Sequence, residues 1–499
     1  MTFVQNNLKI KTMKKNLLFL LLSGLALQLG AAITQIRWGS SNTPLTGLTI
    51  TWSNTGTADS IDWGYTTVYE KPSALGIKRA GYSTASYFKF VFPGTVNASA
   101  TIYYKLYDSS TKTWTAQKTF ATAKAENSVK FSFSALGDCR DDMAMLTTVS
   151  NLVTSKKPDL VLFSGDLTVS GNSASQYNAF FTAASNFLAN NVVYHAQGNH
   201  DAGSTPWFTN MFDLPVTSGS NLYSAVRYGN AIFITLNSES PSGQTAWLQT
   251  TLAAAAADPT IMWKVVSFHK PFFNIGSHYG DMNSYRATWW KAFDDYGVDL
   301  ILNGHDHNYQ RSKPVNLKVS TSAPVAKYGS GVGEGRCQII CGGAGAGLYA
   351  IGSSADSWAV NTKNSINNFV NCVVDNCTMV ITAYTDAGTV LETFTLDKTA
   401  SSLCTNGVIG KDLSEKFNPI SVFPNPTSNT FTLNYSSESI GDGMLKIYDF
   451  DGKEVASEKI NKSKTEFEYK HDMSKFAKGV YNVSLIMGEQ RDNVLLIKE

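Results

Sequence analysis

The sequence predicts an α/β fold flanked by β-rich modules, and three observations carry that expectation. Between residues 128 and 400, short apolar runs alternate with helix-like stretches, which implies sheets covered by helices. On either side, in 33–123 and 420–499, alternating apolar and polar runs are separated by Gly, Asn, Ser and Asp turns. A chain of 499 residues with 43% hydrophobic and 12% aromatic content exceeds one core and supports about three folded domains rather than disorder.

Taken in order, Met13-Lys14-Lys15 is a basic start, 17–29 an apolar core and Gly30-Ala31-Ala32 a small-residue cleavage site, so 13–32 reads as a signal peptide. An N-terminal membrane anchor is the alternative; no other segment approaches the roughly 20 apolar residues that span a bilayer. Residues 33–123 read as an all-β module, with 48–52 and 101–107 as strands and Trp38, Trp52 and Trp63 as core. In the middle region 130–134, 160–163, 192–194, 261–268 and 298–302 read as strands, several apolar enough for burial on both faces. Residues 176–190, 244–256 and 283–296 read as helices, and 369–375, 378–385 and 390–396 as closing antiparallel strands. Gly-rich stretches at 329–335 and 342–347 lack the helix and acidic partner of a dinucleotide loop and read as tight turns near the rim of the site. A net charge of +2 argues for neither nucleic acid nor a charged membrane surface as partner.

Each middle strand runs into a polar motif. In order these are Gly137-Asp138, Gly165-Asp166, Gly198-Asn199-His200-Asp201, Val265-Val266-Ser267-Phe268-His269 and Gly304-His305-Asp306-His307. Of the seven histidines, His195, His200, His269, His305 and His307 lie in or beside these motifs, His278 follows soon after, and His471 stands apart. Ligands at the carboxyl ends of neighbouring strands converge on one rim. Two cations about 3.5–4 Å apart clamp the attacking and leaving oxygens of phosphoryl transfer. Asp138 and Asp166 offer carboxylates, Asn199 a carbonyl oxygen, and His269, His305 and His307 imidazoles. This donor set suits Fe, Zn or Mn, and no cofactor-binding motif accompanies it.

At these residues the chain resembles the calcineurin-like metallophosphoesterases, and within them the purple acid phosphatases, over roughly 33–400. Gly304-His305-Asp306-His307-Asn308-Tyr309-Gln310-Arg311 resembles the family's Gly-His-x-His-x-Tyr-Glu-Arg, with Gln310 in place of Glu. The resemblance implies a four-layer α/β/β/α catalytic domain over 128–400 behind a fibronectin-III-like β-sandwich over 33–123. It also implies two divalent or trivalent metal ions. Asp138, Asp166 and His307 would hold the first metal, with Asp166 bridging, and Asn199, His269 and His305 the second. His200 would face the leaving oxygen with Asp201 orienting it, and His278 would face substrate. One departure stands out. The family's tyrosinate ligand falls at Val169, and the Asp-x-His of other branches is Asp138-Cys139-Arg140, so the first metal is one protein ligand short. Water, Asp141 or Asp142 would complete it; Arg140 would face phosphate or form a structural ion pair, and Cys139 reads as a small buried thiol.

Phe423-Pro424-Asn425-Pro426-Thr427, the Asp451-Gly452-Lys453 turn and Gly479-Val480-Tyr481 resemble the C-terminal sorting domain of type IX secretion over 420–499, a small β-sandwich after a 401–419 linker. Secretion or cell-surface display via the periplasm follows from that resemblance, with the export machinery as partner. An exported chain permits disulfides. Cys372 and Cys377 flank the turn at Asp375-Asn376 and could pair across a hairpin, Cys337–Cys341 is a less favoured candidate, and the connectivity is not readable from the sequence. The functional expectation is an exported phosphatase hydrolysing phosphate monoesters of a small-molecule substrate by attack of a metal-bound hydroxide. Phosphodiester or nucleotide hydrolysis on the same site is the first alternative, and a non-catalytic cell-surface binding protein on a decayed phosphoesterase scaffold is the second.

Overall fold

The computed structural model describes residues 33–79, 86–126, 128–204, 207–217, 220–321, 323–352, 362–405, 420–437, 439–449, 453–488 and 490–499. The expected signal segment 13–32 and most of the expected linker 401–419 lie outside the described residues. The chain divides into two compact units, Met1–Ile409 and Gly410–Glu499. Among the described residues no helix is long and apolar enough to cross a membrane.

The first unit opens with two small antiparallel sheets. Thr34–Gly39, Thr49–Asn54, Ser86–Val91 and Ile77–Arg79 form one. Ser60–Gly64 and Thr101–Asp108, with Ala74–Leu75, Thr113–Trp114 and Lys118–Ala121 at their edges, form the other. Thr101–Asp108 alternates buried and solvated positions along its length, as a strand facing a core on one side must. Trp38, Trp52 and Trp63 join Ile50, Phe88, Ile102 and Leu106 in a shared core. The module is fastened to the rest of the unit by polar contacts: Trp38 Nε1 donates to Ala189 O at 3.1 Å, and Lys89 pairs with Asp213 at 2.6 Å.

Two larger sheets then build the mixed α/β body. In the six-stranded sheet, Val193–His195, Leu160–Phe163 and Lys130–Leu136 run parallel, and Asn368–Asp375, Thr378–Thr385 and Val390–Asp397 extend it antiparallel. The seven-stranded sheet places Ala231–Thr235, Trp263–Ser267, Leu300–Asn303 and Cys337–Cys341 in parallel register. The sheets bury a common core: Phe133, Leu162, Val265 and Leu302, each at most 1% exposed, stabilise the fold by about 1.5–3 kcal/mol apiece. Residues one step along the same strands point outward. Val161 and Phe163 pack with helices Met143–Ser155, Ala174–Ala183 and Ser185–Asn190. Val266 and Ile301 pack with Thr245–Ala257 and Lys291–Tyr296 on the other side. Helices thus cover the outer face of each sheet, and the central strands are apolar on both faces for that reason.

One helix is added to the expected elements, and the expectations for 283–296 and for the cysteines are corrected. Helix Met143–Ser155, begun by Asp142 accepting from Ala144 N and Met145 N, was not anticipated from the sequence. The expected single helix over 283–296 is broken into a 3₁₀ turn Asn283–Tyr285, a π turn Arg286–Trp290 and the α-helix Lys291–Tyr296, closed by left-handed Gly297. The disulfide joins Cys377 to Cys404, with Cα atoms 6.1 Å apart. Cys372 faces Ile381 across its hairpin while Cys377 sits at the turn, so those two do not meet. Cys337 and Cys341 lie four residues apart on one strand, about 13 Å, where a disulfide needs Cα atoms within about 7 Å. These thiols and Cys139 are buried and free.

The second unit holds a three-stranded sheet, Ile420–Phe423, Thr430–Ser436 and Glu466–Asp472, and a four-stranded sheet, Glu454–Lys462, Gly441–Tyr448, Gly479–Met487 and Gln490–Lys498. Phe431, Leu433, Ile447, Val483, Leu485 and Leu496 form its core.

Candidate metal centre

The motif residues gather where the parallel strands of both sheets end. Asp138 follows Lys130–Leu136, Asp166 follows Leu160–Phe163, and Asn199 and His200 follow Val193–His195. From the other sheet, His269 follows Trp263–Ser267, and His305 and His307 follow Leu300–Asn303. Asp138, Asp166 and His305 take left-handed backbone angles, with φ of 60°, 57° and 71°. Such conformations cost about 1–3 kcal/mol each and persist only when surroundings enforce them. Here Asp138 N donates to Gly165 O at 2.9 Å and His305 N donates to both Asp138 oxygens at 3.0 Å. At Gly165, itself at φ 102°, an added Cβ would stand 2.6 Å from Gly198 N, so two of the motif turns pass too closely for any side chain.

Around His269 the donors converge. His269 Nδ1 faces Ser164 O at 2.8 Å; a carbonyl only accepts, so Nδ1 carries the proton and Nε2 exposes its lone pair when the ring is neutral. His305 Nε2 faces Asp281 Oδ2 at 3.0 Å, leaving Nδ1 as its lone pair. That Nδ1 lies 3.1 Å from His269 Nε2, which is also 3.0 Å from Asn199 Oδ1 and 3.4 Å from Asp166 Oδ1. Four electron-rich atoms pointing at one another repel unless a proton or cation lies between them. The donor set, one carboxylate, one amide oxygen and two imidazoles, fits a metal ion here.

Charge says the same. Burial pulls His269 down, but facing Asp166 and Asp138 overcome it and raise it to about 10. Burial pushes Asp138 well above the carboxylate range, opposed by His269 and reinforced by Asp166. Burial acts upward on Asp166 too, yet His269 and the His200 N–H hold it below its ordinary value. A single proton on His269 thus serves the charge balance that a cation would serve, and metal uptake must displace it. His305 is pushed down by burial and by its histidine neighbours, which keeps it neutral.

On the other side of Asp166 the arrangement differs. His307 Nδ1 faces Gly347 O at 2.6 Å, so its lone pair is on Nε2, 3.7 Å from Asp138 Oδ1. Burial pushes His307 down to about 4, with the Arg140 charge adding to the effect. Arg140 Nη1 donates to that Nε2 at 2.6 Å and to Asp166 Oδ2 at 3.3 Å. Asp142 is committed to its helix cap and Asp141 Oδ2 accepts from Gly347 N at 3.0 Å, so neither turns into the site. On this side the His307 lone pair and Asp166 Oδ2 both meet the Arg140 guanidinium.

His200 and His278 border the cluster. His200 Nδ1 meets Val169 O at 2.8 Å, and that carbonyl, not Asp201, orients the ring. Asp201 is drawn inward instead, accepting from Asp166 N at 2.8 Å, Gly198 N at 3.0 Å and Leu167 N at 3.0 Å, which pins the second and third motif turns together. Burial and then Asp166 raise its carboxyl to about 7. His278 Nδ1 meets Asp306 Oδ1 at 3.0 Å, and its ring lies 3.9 Å from that of His305. His195 belongs to the core, with its ring 4.1 Å from Phe212 and no tie to the donors. Sequence reasoning missed Asp281 and Tyr349; the latter stacks on His307 at 4.0 Å and accepts from Arg140 Nη2 at 3.4 Å.

Residues 133–309 match the calcineurin-like phosphoesterase family, and residues 421–499 match the secretion system C-terminal sorting domain. Purple acid phosphatase 5 of Arabidopsis thaliana is 26% identical over 238 residues, 44% of this chain and 55% of that protein. Probable inactive purple acid phosphatase 27 of the same plant is 28% identical over 246 residues, 43% of this chain and 39% of that protein. The chain thus spans about half the length, or less, of these curated relatives. Among solved structures, purple acid phosphatase PPD1 from yellow lupin seeds (Lupinus luteus) superposes with a TM-score of 0.62 at 18% identity, covering 73% of this chain and 74% of that one. Over the part covered the fold is shared with that purple acid phosphatase, a calcineurin-like phosphoesterase domain is matched at 133–309, and the curated relatives include purple acid phosphatases.

Proposed function

Starting from a calcineurin-like phosphoesterase domain with this donor cluster, we propose that the chain is an exported, metal-dependent phosphatase acting on phosphate monoesters. The observation that carries the reading is the convergence of His269 Nε2, His305 Nδ1, Asn199 Oδ1 and Asp166 Oδ1. A cation held there, Fe, Zn or Mn, would polarise a phosphoryl oxygen and lower the pKa of water. The protein's own groups do the rest. His200, its Nδ1 engaged by Val169 O, turns Nε2 to the leaving oxygen and in its protonated form delivers a proton. His278, steadied by Asp306, borders the same space and contacts the phosphate. Asp201 holds the turns bearing Asp166 and Asn199 in place.

The test is turnover of p-nitrophenyl phosphate and of its bis ester, before and after chelation and after return of Fe, Zn or Mn. Monoester turnover that chelation abolishes and metal restores is expected. A preference for the bis ester would move the assignment to a phosphodiesterase. No turnover under any metal would support the non-catalytic scaffold, for which the relative named as probably inactive is the precedent.

The match at 421–499 supports secretion or cell-surface attachment. We assign 13–32 as signal peptide, 33–123 as a fibronectin-III-like module and 420–499 as an address removed at export. Mass spectrometry of secreted protein should find a chain from about Ile33 to the segment before Phe423; retention of Glu499 would reject the trimming.

A further inference from the structure

We infer that Arg140 takes the place of the first of the two metal ions, so that the centre binds one cation, beside His269, and uses a fixed guanidinium as the second positive charge. The inference rests on the phosphoesterase reading of the cluster and departs from the two-metal arrangement that the motifs imply.

The argument is one of lone pairs. The Gly347 carbonyl holds the His307 proton on Nδ1, which leaves a single lone pair, on Nε2. Arg140 Nη1 takes that lone pair at 2.6 Å. A metal on the same nitrogen would sit about 2.0–2.1 Å away along the same direction, inside the guanidinium's own volume and against its charge. The same Nη1 engages Asp166 Oδ2, while the other oxygen, Oδ1, looks toward His269 and accepts from His200 N at 3.0 Å. Asp166 therefore spans a guanidinium and the His269 cluster.

The socket is built around the arginine on every side. Nη2 donates to the Tyr349 hydroxyl at 3.4 Å, Nε faces Asp141 Oδ1 at 3.7 Å, and Tyr349 stacks on His307, fixing the acceptor. The side chain is only 12% exposed. Nη1, with its contacts to His307 and Asp166, holds the side chain in place, and the longer contacts of Nη2 and Nε add to it. The sequence makes the same point: Arg140 stands where Asp-x-His would put an imidazole, and Val169 stands where a tyrosinate would help hold a metal. The one ligand that either residue would add to Asp138, Asp166 and His307 is missing, and a cation belonging to the chain is present. Such a guanidinium can hold phosphoryl oxygens through its planar N–H groups but does not activate water, which would be the part of an ion held beside His269.

The experiment counts metal. The full chain, saturated with Zn or Mn in a chelator-buffered titration, should retain one equivalent per chain. Arg140→Ala and Arg140→His should retain two, the histidine restoring Asp-x-His, with thermal unfolding checked for each variant. Two equivalents in the unaltered chain would overturn the inference, as would one equivalent in both folded variants. Phosphatase turnover is read separately. One metal without turnover defeats the functional reading and leaves this inference standing; two metals with turnover does the reverse.

Discussion

The two sides of Asp166 are built from the same kinds of residue and end in opposite states. On the His269 side, two imidazole lone pairs and an amide oxygen face one another with their other atoms tied down by Ser164 and Asp281. On the His307 side, the lone pair is equally well oriented, by Gly347, but an arginine already holds it. A list of ligands ranks the two positions alike. What separates them is the neighbour that each lone pair meets, and in one case that neighbour is itself a cation.

The largest effect should come from removing the residue that the two sides share. Asp166→Ala deletes the carboxylate on which His269, His200 N and Arg140 all bear. Metal and turnover should vanish together, with a loss beyond the about 10–100-fold typical of residues that only support a ligand. Metal analysis alongside the phosphatase assay checks this, and retained metal would end the idea that Asp166 joins the two sides.

His200 lies outside both donor sets and should act on catalysis alone. His200→Ala should keep its metal and lose alkyl phosphate turnover by about 10²–10⁴-fold, as expected for loss of a general acid. The deficit should shrink for p-nitrophenyl phosphate, whose leaving group needs little protonation. Loss of metal from this variant would make His200 a ligand and redraw the boundary of the His269 side.

The smallest effect concerns a histidine at a strand end that joins neither side. Burial first and Arg37 second push His195 down to about 3 from an ordinary 6.5. Below 6.5 the unfolded chain takes up a proton that the folded ring refuses, so stability falls as pH drops from 6.5 toward 3. His195→Phe, set among Phe163, Phe180 and Phe212, should remove about 2 kcal/mol of the loss between pH 6.5 and 5. Denaturant unfolding at the two pH values measures it. An unchanged acid sensitivity would shift its origin to the donor cluster.

The legible parts of the molecule were those with local signatures. Strands buried on both faces announce themselves as short apolar runs, and Leu160–Phe163 is found where the run lies. The motif residues follow those runs, so the gathering of Asp138, Asp166, Asn199, His269, His305 and His307 at one rim could be anticipated. Helix Met143–Ser155 was missed although Leu146, Val149, Ser150 and Val153 recur at helical spacing behind the Asp142 cap; its Thr and Ser residues dilute the apolar stripe. Asp281 and Tyr349 sit in loops with no periodicity, and their roles exist only once the chain brings them to His305 and His307. The Cys377–Cys404 bridge joins a turn to a segment 27 residues further on, a pairing that hairpin logic alone does not suggest. Arg140 was visible as a missing histidine; that its charge fills the gap is a matter of three-dimensional contact.

The left-handed backbone at Asp138, Asp166 and His305 has a bearing on engineering and on drift. Each is a position where glycine would relax the chain, by about 1 kcal/mol or more. A search for variants that scores backbone strain alone would therefore be drawn to these three sites and would assemble a more relaxed chain with an empty rim. Only selection for chemistry keeps a side chain there, so among descendants of this chain glycine at 138, 166 or 305 would mark lineages in which that selection has lapsed.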